Sequence, residues 1–275
     1  MRPLLRLAFC ALLLLPVAHA QSAEDVLRDA LAQYEADMAD VENYTITQTA
    51  MGFPTTHYAE RAEGGDPLDY TYYAVLPTGL EPMESEGTMS SPYVLLDRIA
   101  EHARYGGTEE VGGTDTHVIV VDDFQEVVEE FEALPEEAEG ELEIETLTLY
   151  LGTDDHYVHR MRMEGTMEQE GRTSPVVMTS QFSDYRTVDG LTVPFHTTME
   201  MEGVEGAMDA GEREEARRQL EEARQQMASM PPEQREMMER MMGDQLERLE
   251  QMLGGEGFAF EVEVTDVQVN AGRPG

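Results

Sequence analysis

The sequence predicts a mainly β protein of the α+β class, an antiparallel half-barrel with covering helices and an inserted helical hairpin. Apolar and polar residues alternate over Val176–Ser183 and again over Leu191–Met201. Asp189-Gly190 lies between them, and this dipeptide is the strongest short-range signal for a hairpin turn. Long strands with one apolar face are typical of a large antiparallel sheet. Pro194 cannot donate to a ladder, so it predicts a bulge or an edge position.

Residues 1–20 have the features of a cleavable signal peptide. Arg2 and Arg6 precede an apolar run, and Ala18-His19-Ala20 supplies small residues for cleavage before Gln21. The run is too short to span a bilayer, so we expect a periplasmic mature chain without a transmembrane segment. Cys10 is the single cysteine and lies in this segment, so the mature chain can form no disulfide.

The charge balance is extreme. The chain has 57 acidic residues against 18 basic ones, all of them arginine, and loss of Arg2 and Arg6 leaves a net charge of −41. A surface without lysine and rich in carboxylates favours a halophilic source. Disorder is the competing explanation, but the repeated strand patterns and 41% hydrophobic content disfavour it. Such a surface repels nucleic acid and anionic membranes, so neither is expected as a partner.

Three covering helices are predicted before the central hairpin. The first begins at Ser22 and runs to about Ala39; the second begins at Ser91-Pro92 and ends at Arg104, before Gly106-Gly107; the third follows Asp122-Asp123 and ends before Pro135. The remaining strands are predicted at Tyr44–Thr49, Thr55–Glu60, Tyr70–Val75, Thr116–Val121, Leu142–Leu151, Tyr157–Met163 and Phe258–Val269. The change of parity near Glu145-Thr146 indicates a β-bulge.

A methionine-rich insertion interrupts the sheet pattern. We divide the mature chain into a half-barrel domain, residues 21–206 and 254–275, and an inserted helical hairpin, residues 207–253, broken at Pro231-Pro232. The insertion separates two strands that are expected to pair. Its stripe either packs within the molecule, which is the favoured interpretation, or offers Met241, Met242 and their neighbours as a soft surface for varied apolar clients.

Three stretches of the sequence carry a family resemblance: Phe182–Phe195, Val267–Asn270, and the stretch from Ser91-Pro92 through Gly112-Gly113 to Val118–Val121. They resemble LolA-like proteins, the periplasmic lipoprotein carriers and outer-membrane lipoprotein-sorting proteins. The resemblance implies an antiparallel half-barrel whose concave, apolar face is covered by helices and holds lipid acyl chains.

The residues do not favour an enzyme. There is no GxSxG motif and no glycine-rich phosphate loop, and carboxylate pairs are uninformative among 57 acidic residues. His156 and His159 stand beside Asp154-Asp155, but residues three apart on a strand face opposite ways, so a solvated turn histidine is favoured over a metal ligand. We predict neither a cofactor nor a metal site.

We therefore expect a non-catalytic, exported binding or carrier protein for lipid acyl chains or lipoproteins. The predicted ligand-binding residues are apolar and share the inward parity of their strands: Leu147, Leu149, Leu151, Val193, Phe195 and Met199. This face lines either a packed core or a ligand cavity. The alternative function is an envelope interaction or chaperone-like module that contacts other envelope proteins through the methionine-rich hairpin.

The charge predicts that stability depends on salt. With −41 on the mature chain, self-repulsion destabilises the fold at low ionic strength, where the Debye length reaches about 30 Å at 0.01 M. We expect the thermal unfolding midpoint to rise markedly from dilute buffer to molar sodium chloride. An unchanged midpoint would contradict the halophilic interpretation.

Overall fold

The computed structural model describes residues 21–50, 52–62, 70–75, 83–84, 92–125, 127, 142–169, 172–203 and 258–274, together with seven helical positions between 214 and 225. Within these residues, eleven antiparallel strands form one open sheet. The strands are β1 (Asn43–Ala50), β2 (Phe53–Arg61), β3 (Tyr70–Val75), β4 (Met83–Glu84), β5 (Ala103–Val111), β6 (Thr114–Asp122), β7 (Leu142–Gly152), β8 (Val158–Gln169), β9 (Arg172–Val188), β10 (Leu191–Glu202) and β11 (Phe258–Val269). The predicted class, a mainly β open half-barrel, is confirmed.

The strand order places the two ends of the chain side by side. It runs β4-β3-β2-β1-β11-β10-β9-β8-β7-β6-β5, so β11 lies between β1 and β10. Strands β10 and β11 pair with each other, as expected, although residues 203–257 separate them in the sequence. That residues 207–253 form an inserted unit stays a prediction. The helical hairpin predicted within 207–253 lies largely outside the described residues. Of its stripe, Leu220 is described, and it is helical and buried.

Helix α1 (Ala23–Met38) covers the apolar face of the sheet. Ser22 caps it, with its hydroxyl accepting from the Asp25 N–H at 3.1 Å, as the sequence predicted. The helix buries Ala23, Val26, Leu27, Ala30, Tyr34 and Met38. These residues join one core cluster with side chains from β1, β6, β7, β8, β10 and β11. The helix and six strands of the sheet thus share one core.

The second predicted helix is much shorter than expected. A 3-10 turn, Pro92–Leu95, leads into α2, Leu96–Ile99, and β5 already begins at Ala103. The prediction of a helix to Arg104 is therefore wrong. Gly106-Gly107 does not end a helix but lies inside β5, where the register against β6 shifts between Tyr105 and Gly107. Pairing with a neighbouring strand outweighs the local helical signal, which no short-range pattern could reveal.

The third predicted helix is described only at its start. Asp122 is the last residue of β6, Asp123 has a positive φ of 54°, and Phe124, Gln125 and Val127 are helical. Phe124 and Val127 belong to the core cluster. The rest of this helix and the acidic loop that follows it lie outside the described residues.

The central hairpin has the predicted turn and longer strands. Strand β9 has 17 residues and β10 has 12, where the sequence suggested about equal lengths. Asp189 and Gly190 have φ values of 47° and 95°, as a type I′ turn requires. Pro194 pairs with Tyr185 of β9, but the β10–β11 ladder spans only His196–Met201. The edge-like position predicted for Pro194 is thus correct.

The β-bulge predicted near Glu145-Thr146 is also present. The register between β7 and β8 shifts between Ile144 and Thr146. Leu147, Leu149 and Leu151 consequently share the inward face with each other rather than with Glu145. The bulge therefore determines which side chains of β7 face α1.

Gly190 should tolerate no side chain without cost. Its φ of 95° is a conformation that L-residues disfavour, and we expect Gly190→Ala to lower the free energy of unfolding by about 1–2 kcal/mol. Asp189→Asn is the matched control, since asparagine also accepts positive φ, and it should be close to neutral. Equal effects of both changes in denaturant titrations would contradict this account of the turn.

Candidate ligand-binding face

Five of the six predicted ligand-binding residues lie together in the packed core. Leu147, Leu149 and Leu151 are at most 2% exposed, and Val193 and Phe195 are 9% exposed. All five belong to the cluster that contains the buried face of α1. The sequence left open whether this face lines a packed core or a ligand cavity. At these five positions it lines a packed core.

Met199 lies on the same face but apart from that core. It is half-buried and is not a member of the core cluster. In the register it is opposite Ser180 of β9 on one side and Phe260 of β11 on the other. The inward face therefore has two parts: an interior sector covered by α1, and an outer sector around Met199 that the core cluster does not include.

Arg186 is a cation on this face that sequence reasoning missed. It pairs in register with Val193, so the two side chains share a side of the sheet. Its guanidinium carbon lies 4.3 Å from the centre of the Phe195 ring, and it forms an ion pair with Asp184. Phe182, Asp184 and Arg186 have the same parity on β9, and this spacing could have placed Arg186 on the inward face. The positive φ of Asp184, in contrast, could not be recognised in the sequence.

A tyrosine cluster anchors the carboxyl-terminal end of α1 to the β7–β8 turn. The Tyr157 hydroxyl donates to the Asp37 carboxylate of α1 at 2.6 Å. Tyr157 stacks on Tyr185 with ring centres 4.9 Å apart, and Tyr34 of α1 stacks on Tyr93 at 4.4 Å. These contacts fix the helix over the sheet through directional bonds as well as through apolar packing.

The backbone of Val158 is held by two of these phenols. Its N–H donates to the Tyr93 hydroxyl at 3.0 Å, and its carbonyl accepts from the Tyr185 hydroxyl at 2.5 Å. Burial raises the pKa of Tyr93 and Tyr185 above the usual range, so both remain neutral. The start of β8 is thereby fixed against α1 by neutral hydrogen bonds that pH in the physiological range does not alter.

The histidine cluster of the β7–β8 turn is an internal pair. His159 is 9% exposed and its Nε2 lies 2.9 Å from Asp155 Oδ2, so the expectation of a solvated turn histidine is wrong for His159. Burial acts to raise the pKa of Asp155, but hydrogen bonds from His159 and from the Tyr157 N–H outweigh it and the pKa is lowered. A Cβ on Gly152 would lie 1.8 Å from Asp155 Oδ1, so glycine is required there.

The amino-terminal end of α1 has its own anchor. Gln21 Nε2 lies 3.2 Å from His117 Nε2, and the Tyr105 hydroxyl lies 3.1 Å from His117 Nδ1. Burial lowers the pKa of His117, with a smaller contribution from the charge of His156 and an opposing one from Asp29. The neutral imidazole is therefore the form that the fold favours.

The segment between α1 and β1 is held by residues from distant strands. Asn270 accepts from the Glu42 N–H at 2.7 Å and donates to the Asp40 carbonyl at 2.9 Å. The Tyr70 hydroxyl donates to the Val41 carbonyl at 2.5 Å, and Arg61 donates to the Met38 carbonyl. The exit of α1 is thus fixed by β2, β3 and the end of β11.

A small cavity lies beside this anchor. It has a volume of about 80 Å³ and is lined by Tyr44, Ile46, Gln48, His57, Tyr58, Ala59, Tyr72 and Tyr73. Burial lowers the pKa of His57, whose ring lies 3.4 Å from the Gln48 amide. An apolar cavity of about 150 Å³ accepts a benzene ring, so this one is too small for an acyl chain without rearrangement.

No helix in the described part of the chain is long and apolar enough to cross a bilayer. Likewise, no three of its His, Cys, Asp or Glu side chains are grouped as a metal site requires.

Comparison with known proteins returns structures but no family. No family model matches the sequence, and no curated protein matches it. A solved outer membrane lipoprotein-sorting protein domain from Vibrio parahaemolyticus, titled as putative, has 10% identity and a TM-score of 0.42, covering 91% of this chain and 93% of its own. A DUF1329 family protein from Desulfovibrio piger has 9% identity and a TM-score of 0.41, covering 92% and 96%. A LolA superfamily protein from Nitrosomonas europaea has 9% identity and a TM-score of 0.33, again covering 92% and 96%.

The fold of this chain is an open antiparallel sheet with helices over its apolar face, which is the architecture that the resemblance of the motifs implied.

Acidification should act on His117. Burial lowers the pKa of His117 below the ordinary 6.5. As the pH falls through 6.5, the unfolded chain therefore binds more protons than the native chain. The free energy of unfolding decreases as a result. We expect His117→Gln to remove this loss, measured as a smaller decrease of unfolding free energy between pH 7.5 and 5.5 than in the wild type. His102→Gln, at an exposed position, is the control and should leave the pH dependence unchanged.

Proposed function

We propose that this protein is a non-catalytic, exported carrier or binding protein that accommodates a lipid acyl chain, free or as part of a lipoprotein, on the inward face of its open sheet. The observation that carries the proposal is the outer sector around Met199, an apolar surface outside the core cluster. Export to the periplasm is proposed from residues 1–20, which lie outside the described residues.

The outer sector continues two rows of residues that begin in the interior sector at Leu147 and Leu149. Across β7 to β11, the register places Leu147, Met163, Met178, Met201 and Phe258 in one row. The next row has Leu149, Met161, Ser180, Met199 and Phe260. The leucines and Ser180 are buried, whereas the five methionines of these rows are half-buried. Half-buried apolar surface of this kind is what an alkyl chain needs, because each buried methylene contributes about 0.8 kcal/mol.

The interior sector takes part only if α1 moves. Leu147, Leu149 and Leu151 are fully buried against the helix cluster, so an acyl chain that reached them would have to displace α1. The Tyr157–Asp37 hydrogen bond and the Tyr34–Tyr93 stack oppose this displacement. We therefore propose that the ligand first contacts Met199. It contacts the three leucines, Val193 and Phe195 only in a later state, after α1 has moved away from the sheet.

A charge placed on the outer sector tests the proposal. Met199→Asp should weaken binding of a dansyl-labelled fatty acid at least about tenfold, since a carboxylate in an apolar contact is strongly unfavourable. Thr198→Asp adds the same charge to the other face of the same strand and should leave the affinity unchanged. Failure of the wild type to bind the probe, or equal weakening by both variants, would overturn the proposal.

Phe195 is less suitable for this test. Its ring is buried in the core, and truncation to alanine should lower the unfolding free energy by about 3–5 kcal/mol and so confuse binding with folding.

The alternative function, an envelope interaction module acting through the hairpin, is tested separately. Deletion of residues 207–253 should preserve acyl binding if the sheet binds the ligand, and should abolish partner binding if the hairpin does.

A further inference from the structure

Three methionines form a continuous row across three neighbouring strands. Met163 of β8 is directly opposite Met178 of β9, and Met178 is directly opposite Met201 of β10. Residues paired in this way share a face, with Cβ atoms about 4.5–5.5 Å apart. The next row repeats the pattern with Met161 and Met199 on either side of Ser180. Five thioethers therefore lie within two adjacent rows of one sheet face.

Strand preference does not explain this choice of residue. Positions that favour strands are usually occupied by β-branched and aromatic residues, and methionine is not among them. On the same face, the core cluster uses Leu147, Leu149, Val193 and Phe195. All five methionines of the two rows are half-buried, and Met161 and Met163 pack against the core cluster.

The ligand set that these rows offer is almost purely thioether. Their other members are Leu147, Leu149, Phe258, Phe260 and the hydroxyl of Ser180, so neither row contains a carboxylate or an imidazole. Hard cations such as Mg²⁺ and Ca²⁺ require oxygen ligands, whereas thioethers select Cu(I) and other soft monovalent ions. A neutral set of this kind discriminates against the abundant cations of a saline medium.

The spacing allows three sulfurs to meet. Strands β8 and β10 are about 10 Å apart, with β9 between them. Methionine is unbranched and rotates freely, so the outer two side chains can lean over the middle one. The one cysteine of the sequence, Cys10, lies in the predicted signal peptide, so methionine supplies the soft sulfur ligands of the rest of the chain.

We propose that Met163, Met178 and Met201 form a binding site for Cu(I), for which Ag(I) can substitute, with Met161 and Met199 as neighbouring ligands. The site requires no lipid. It depends on the thioether sulfurs, whereas acyl binding depends only on apolar surface. The two proposals can therefore fail independently.

The test is a titration of the purified mature chain with silver nitrate in sodium nitrate buffer, which avoids precipitation by chloride. Calorimetry should show that the protein binds one equivalent of Ag(I) tightly. Met178→Leu should weaken this binding at least about tenfold, in the range found when a metal site loses a supporting group. Leucine matches methionine in volume, so the unfolding midpoint should remain close to that of the wild type.

Met167→Leu is the matched control. Met167 is also half-buried on β8, but it is opposite Ser174, outside the two rows, and its replacement should leave the affinity unchanged. The triple variant Met163→Leu, Met178→Leu, Met201→Leu should lose the site yet still bind the dansyl-labelled fatty acid. Every variant keeps the methionines of residues 207–253, so retention of the tight equivalent by the triple variant would place the metal elsewhere and overturn the proposal.

X-ray absorption of the Cu(I) adduct, prepared without oxygen, gives an independent readout. We expect sulfur neighbours only. A first shell that contains nitrogen would show that histidine binds the ion and would overturn the assignment to the methionine rows.

Discussion

The packing of α1 against one face of an open sheet is the interaction on which the rest of the structure depends. An antiparallel sheet with one apolar face is stable only if that face is covered. Here a 16-residue helix with six buried side chains supplies the cover and brings strands from opposite halves of the sheet into one core. Each fully buried Val or Leu contributes about 1.5–3 kcal/mol, so loss of the helix would expose more apolar surface than the remaining sheet could tolerate.

The helix is held at both ends by polar contacts from distant parts of the chain. Gln21 and His117 anchor its start, while Asp37, Tyr157, Arg61 and the Asn270 side chain hold its end. Because β11 returns beside β1, the last residues of the chain fix the segment that follows the first helix. An insertion between β10 and β11 is compatible with this arrangement, since the strands pair on either side of it.

The inward face divides according to the chemistry of its side chains. Leucine, valine and phenylalanine fill the interior sector with rigid shapes, as a close-packed core requires. Methionine, which adapts to irregular contacts, occupies half-buried positions in the rows that continue from it across β8, β9 and β10. The same face is therefore structural where α1 covers it and chemically accessible where the methionines begin. Both the acyl-chain proposal and the metal proposal follow from this division.

Several features of the fold could be predicted from local chemistry. The Asp189-Gly190 turn, the Ser22 cap, the bulge near Glu145 and the long alternating strands each follow from backbone preferences that act over a few residues. Only the tertiary structure decided the rest. The stretch before Gly106-Gly107 became β5 because β6 offered a ladder, and His159 became buried because Asp155 and Tyr185 meet it. The three methionines form a row because register joins residues that the sequence separates. Alternation fixes which face a side chain takes, but strand pairing over long sequence distances fixes its neighbours.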